Sequence, residues 1–152
     1  MKIAEALNER AALKASLSQI KNRMLKNAKV QEGDTPAEDA KQLAEKYAEV
    51  NNSLTNIICK INKTNQLVKN ANGDSLADLI TRRESYKHLV KVYSELYDEA
   101  IIERDRFSRN EIRFISAVSP AELQKDINEF SERFRMLDTE IQGINWTTDL
   151  VD

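Results

Sequence analysis

Residues 40–64, AKQLAEKYAEVNNSLTNIICKINKT, place Ala40, Leu43, Tyr47, Val50, Leu54, Ile57, Ile61 and Thr64 at alternating steps of three and four. An α-helix repeats every 3.6 residues, so this spacing gathers all eight side chains on one face. The stretch reads as a long amphipathic helix with a coiled-coil-like seam. A helix of about 29 residues here would be roughly 44 Å long at about 1.5 Å per residue.

Just upstream, Thr35-Pro36-Ala37-Glu38 predicts where that helix starts. Thr35 suits an N-cap, Pro36 the first turn, and Glu38 a return bond to the cap amide. Gly33, within Gln31-Glu32-Gly33-Asp34, suits the stop of a preceding helix. That earlier helix is predicted over residues 2 to about 30, from Ile3, Ala6, Leu13, Leu17, Ile20 and Met24, with Arg10 and Asn27 interrupting the apolar face. Charge sets how the two pair. Residues 1–29 hold seven Lys or Arg against two Glu, net +5, and residues 30–50 hold six acids against two Lys, net −4. An antiparallel hairpin lays the basic end of the first helix along the acidic start of the second, as both helix dipoles prefer.

Downstream, Asn70-Ala71-Asn72-Gly73-Asp74-Ser75 is a turn, and Asp74 or Ser75 caps a third helix carrying Leu76, Leu79, Ile80, Tyr86, Val90, Tyr93, Tyr97 and Ala100. Residues 65–69 are expected to leave the helix and extend. Ser119-Pro120-Ala121-Glu122 opens a fourth helix with Leu123, Ile127, Phe130, Phe134, Leu137, Ile141 and Ile144. Partial alternation over 111–118 suggests one short extended segment before it. The fold class is therefore all-α: one domain over 1–152 and an antiparallel bundle of about four long helices. Its parts are a helical hairpin at about 2–69, a second helical pair at about 75–145 and a C-terminal tail at 146–152.

Composition agrees. Apolar residues make up 41% and charged residues 32% of 152, too apolar for a disordered chain. Three Gly and two Pro are too few for a fold of many tight turns. A net charge of −2 gives no global field for nucleic acid or an anionic membrane, and no aromatic side chain is interleaved with the basic run Lys21, Arg23, Lys26 and Lys29. The first residues contain acids and no continuous apolar stretch, and no run approaches the roughly 20 apolar residues of a membrane-spanning helix. The lone Cys59 fits a reducing compartment, is expected to pack among Ile57, Ile58 and Ile61, and leaves the cytoplasm as the expected location.

Few residues suggest a reaction. His88 is the single histidine, with Glu84 one turn before it, so the paired Glu-x-x-His ligands of a di-iron bundle are absent. No nucleophile elbow, phosphate loop or dinucleotide fingerprint occurs. Catalytic residues, metal and cofactor are all expected to be none, and a small-molecule ligand stays open. The densest unusual segment is Arg104-Asp105-Arg106-Phe107-Ser108-Arg109-Asn110-Glu111-Ile112-Arg113. Its guanidinium groups suit an anion site, while Glu103, Asp105 and Glu111 suit an internal ion-pair network. Either way Arg106, Arg109 and Glu111 are expected to fold back near Gln142 and Asn145. Trp146, the single tryptophan, suits an interface anchor or a seal on the end of the bundle.

Asn27-Ala28 with Val30-Gln31-Glu32-Gly33, Thr64-Asn65, Arg106 through Ile112, Leu137-Asp138, Ile141-Gln142 and Asn145-Trp146 through Leu150 resemble the septicolysin-like family of small, largely uncharacterised bacterial helical proteins. The resemblance runs over essentially the whole chain. Its name implies a pore-forming cytolysin, whereas the residues themselves point to a non-catalytic helical assembly or interaction protein, a homo-oligomer that joins through its long seams.

Overall fold

The computed structural model describes residues 1–102 and 113–151, and among these the fold is all-α. Four helices follow in order: α1 (Ile3–Lys26), α2 (Ala40–Leu67), α3 (Leu76–Ala100) and α4 (Pro120–Thr147). Two compact units divide the chain. One comprises Met1–Ser75 with Gln142–Asp152, the other Leu76–Ile141. The last turns of α4 and the tail thus join the N-terminal hairpin.

In the first unit α1 and α2 pack through the seam set by their apolar periods. Ile3, Ala6, Leu17 and Ile20 of α1 are buried, as are Leu43, Leu54, Ile57, Ile61 and Thr64 of α2. Arg10 and Asn27, which interrupt the α1 stripe, are half-buried on the same face. Burying one such aliphatic side chain stabilises the fold by roughly 1.5–3 kcal/mol. Cys59 is exposed instead of packed. It sits two residues from both Ile57 and Ile61, about 200° around the helix, so the apolar run it interrupts faces away from it.

The connection between α1 and α2 departs from the predicted caps. α1 ends at Lys26 with Asn27 as its C-cap, several residues before Gly33. Gly33 adopts φ 88°, the left-handed region, inside the connecting turn. Thr35, Pro36 and Glu38 precede the helix, and Asp39 is the N-cap of α2, its carboxylate accepting from the Lys41 (2.8 Å) and Gln42 (3.3 Å) amides. Glu38 is engaged elsewhere, which explains the shift. Its amide donates to Asn27 Oδ1 at 3.1 Å, and its carboxylate is gripped by Arg23. The basic end of α1 meets the acidic approach to α2, as an antiparallel hairpin requires.

At the other end of α2, Val68 is extended and Lys69 bridges to Ser75 across the turn. Asn70 organises that turn, its side-chain oxygen accepting from the Asn72 and Asp74 amides while Gly73 takes φ 87°.

In the second unit α3 and α4 run antiparallel. Arg83 bridges Glu84 and, at 2.8 Å, Asp138. Further along α3, the Tyr93 ring meets Phe130 edge-on, centroids 5.0 Å apart at 88°, and Tyr86 lies 6.2 Å from the same ring. Arg133 stands 5.9 Å over Tyr86 and pairs with Glu129 at 3.0 Å. Ser119 caps α4 through a bond from the Glu122 amide, and Pro120 is its first residue, as predicted. Residues 113–118 are not helical and form no strand, and the rest of the expected extended segment, 111–112, lies outside the described residues.

Candidate functional site

Two features stand out beyond the helix pairs. The first is a strap made by residues 148–151 in the Met1–Ser75 unit. The Ile3 amide donates to the Thr148 carbonyl at 3.1 Å, and the Leu150 amide donates to the Met1 carbonyl at 2.8 Å. Leu150 packs on the core formed by Ala6, Leu17, Leu54, Ile57 and Ile61. The Val151 amide donates to Thr64 Oγ1 at 2.9 Å, while that fully buried hydroxyl donates to the Lys60 carbonyl at 2.7 Å. Thr64 is the one polar member of the predicted α2 seam. Its hydroxyl replaces an apolar contact because it must receive the incoming chain.

Lys2 ties the strap from outside. Its ammonium donates to the Thr147 carbonyl at 3.0 Å and pairs with Asp149 at 3.0 Å. Lys2 holds the Asp149 carboxyl below the usual carboxylate range, through hydrogen bonding first and charge second. A carboxyl whose pKa is depressed on folding stabilises the fold above its unfolded pKa, and that contribution is lost as pH falls through the folded value. The pair should therefore act across neutral and mildly acidic pH and fail only in strong acid. In Lys2→Met the NMR titration midpoint of Asp149 should rise toward an ordinary aspartate. An unmoved midpoint would remove the pair from the account.

The second feature is an apolar hollow of about 550 Å³ in the Leu76–Ile141 unit. Leu96, Ala100, Ile101 and Ile102 line it from the end of α3, and Phe114, Ile115 and Val118 from the approach to α4, with Glu99 also at its wall. Phe114 and Ile115 are 85% and 84% exposed. Two adjacent, bare, large apolar residues are not explained by any helix period.

The residues singled out from sequence fall in several places. Arg106, Arg109 and Glu111 lie outside the described residues, as does most of the Arg104–Arg113 segment; Arg113 itself is exposed. Of their expected neighbours, Gln142 is exposed and Asn145 is buried. Trp146 occupies the last turn of α4 and is 60% exposed, so it does not seal a core. His88 is exposed on α3. Among the described residues no group of His, Cys, Asp and Glu is arranged to hold a metal ion, and no helix is long and apolar enough to cross a membrane. Sequence reasoning missed the strap and the hollow. Signals existed for each: a threonine where the seam calls for an aliphatic residue, and the pair Phe114-Ile115 outside any helical stripe.

Comparison with known proteins gives relatives without an assigned role. A family model described as a family of unknown function (DUF6847) matches residues 10–150. The crystal structure of a functionally unknown conserved protein from Corynebacterium diphtheriae is similar at 32% identity and a TM-score of 0.93, covering 99% of each chain. No curated protein matches.

Proposed function

The chain belongs to DUF6847, a family of unknown function, and on that premise we propose that it is a non-catalytic helical assembly protein that works by associating with further copies of itself. The observation that carries this reading is the bare apolar group of Leu96, Ile101, Ile102, Phe114, Ile115 and Val118. Apolar surface of several hundred Å² is near the upper end of what a monomer exposes, a size at which the patch is often functional. Much of the α1–α2 seam is buried within its own unit, so this reading places association on the bare apolar group ahead of the seams. The exposed thiol of Cys59 fits work in a reducing compartment such as the cytoplasm.

Sedimentation equilibrium from about 1 to 100 μM, in the affinity range set by interfaces of modest size, tests the reading. Self-association is expected. A monomer mass unchanged across the series would reject it. The septicolysin resemblance names the rival, membrane attack, and the same material mixed with dye-loaded liposomes separates the two. No leakage is expected near neutral pH, and dye release at stoichiometric protein would favour the cytolysin.

A further inference from the structure

We infer that the apolar hollow is one half of a two-fold interface, in which Phe114 of one copy enters the hollow of a second copy and Arg113 faces that copy's Glu99. The inference rests on the reading of the protein as a self-associating one, and adds the surface, the anchor and the charge pairing.

Three observations support the second copy as occupant. First, the surface carries both parts of a self-complementary joint. Phe114 and Ile115 form part of the wall of the hollow of about 550 Å³ and are still 85% and 84% exposed, so their uncovered faces are free to project toward a second copy, and the volume is within the range that encloses ligands larger than a phenyl ring. A two-fold axis brings each projection to the other copy's hollow, because in such an interface the same patch meets itself. Second, the area is of the right size. At roughly 200 Å² for a bare large side chain, the six exposed residues present on the order of 600 Å². A standard interface takes about 800 Å² from each partner, so a rim around these six completes it.

Third, the charges complement each other across an axis. Glu99 lines the hollow and Arg113, exposed, adjoins the projecting Phe114 in the chain. Seating Phe114 in the partner's hollow carries Arg113 toward the partner's Glu99, and symmetry repeats the pair. A bare aromatic ring beside an arginine is also the composition of an interface anchor. Among the described residues the hollow's wall carries the acid Glu99 and no lysine, which suits the arginine of a second copy better than anionic headgroups.

The test compares the wild-type chain with five variants by sedimentation equilibrium: Phe114→Asp, Ile115→Lys, Glu99→Arg, Arg113→Glu and the exchange Glu99→Arg/Arg113→Glu. Circular dichroism confirms folding, and because the changed side chains are exposed each variant should melt close to wild type. Phe114→Asp and Ile115→Lys should each weaken association at least a hundredfold. Each single charge reversal should weaken it about tenfold, and the exchange should restore it to within a few-fold of wild type. If wild type associates but Phe114→Asp and Ile115→Lys associate equally well, this interface is wrong while the assembly reading stands. An exchange no better than the single reversals would overturn the charge pairing that orients the joint. A monomeric wild type would overturn the reading and the interface together.

Discussion

Ending the chain after Thr147 should lower the unfolding free energy of the Met1–Ser75 unit by about 3–5 kcal/mol, from three lost hydrogen bonds at roughly 0.5–1.5 kcal/mol each and the packing of Leu150. The bonds are Ile3 to Thr148, Leu150 to Met1 and Val151 to Thr64, and Leu150 leaves a half-covered core behind it. The Lys2–Asp149 pair is solvated on both sides and adds little. Thr64→Val isolates one element of the strap. Valine keeps the shape but leaves the Val151 amide without its acceptor, a loss of about 1–3 kcal/mol for a stranded partly buried donor. Guanidinium unfolding of the three proteins measures both values. If the shortened chain matched wild type within about 0.5 kcal/mol, the strap would be an ornament on a hairpin that is stable alone.

Phe130→Ala should cost the Leu76–Ile141 unit about 2–4 kcal/mol, somewhat less than a fully buried phenylalanine because the ring is only partly covered. This ring is the piece of α4 that both Tyr86 and Tyr93 meet, so its loss opens a gap along the α3–α4 seam. Phe130→Leu separates volume from ring geometry. It retains most of the apolar area and should cost only about 0.5–1.5 kcal/mol, the usual worth of an edge-on aromatic contact. Near-UV circular dichroism should lose tyrosine signal in both variants, since Tyr93 would no longer sit against a fixed ring. Equal costs for alanine and leucine would show that the edge-on contact, and not filled space, holds this seam.

The helices were legible because their information is periodic. Every residue placed on the α2 seam from spacing alone, from Ala40 to Thr64, is buried or half-buried, and the stripes of α3 and α4 fare the same. Ser119 was readable as a cap because its partner lies three residues away. The start of α2 was not, because the local signal at Thr35-Pro36 lost to a distant one: Arg23 and Asn27 take Glu38 from across the hairpin, leaving Asp39 to cap. Cys59 was misplaced for a related reason, an apolar neighbourhood in sequence that is split between two faces in space. The strap joins residues 148–151 to Met1, Ile3 and Thr64, and no short window of sequence contains such a pairing. Of the candidate polar site, Gln142 and Asn145 are placed, while Arg106, Arg109 and Glu111 fall outside the described residues.

The first unit is discontinuous, and this bears on its synthesis. A ribosome releases α1 and α2 early, yet the residues that cover the far end of their hairpin are made after the whole of 76–141. Until then Ile3 and Thr64 lack the chain that satisfies them, and a nascent hairpin waits with its lower core uncapped. Long-range closure of this kind is slow, and exposed apolar surface on a waiting intermediate invites aggregation. The codons for residues 148–151 therefore govern when the α1–α2 hairpin becomes native.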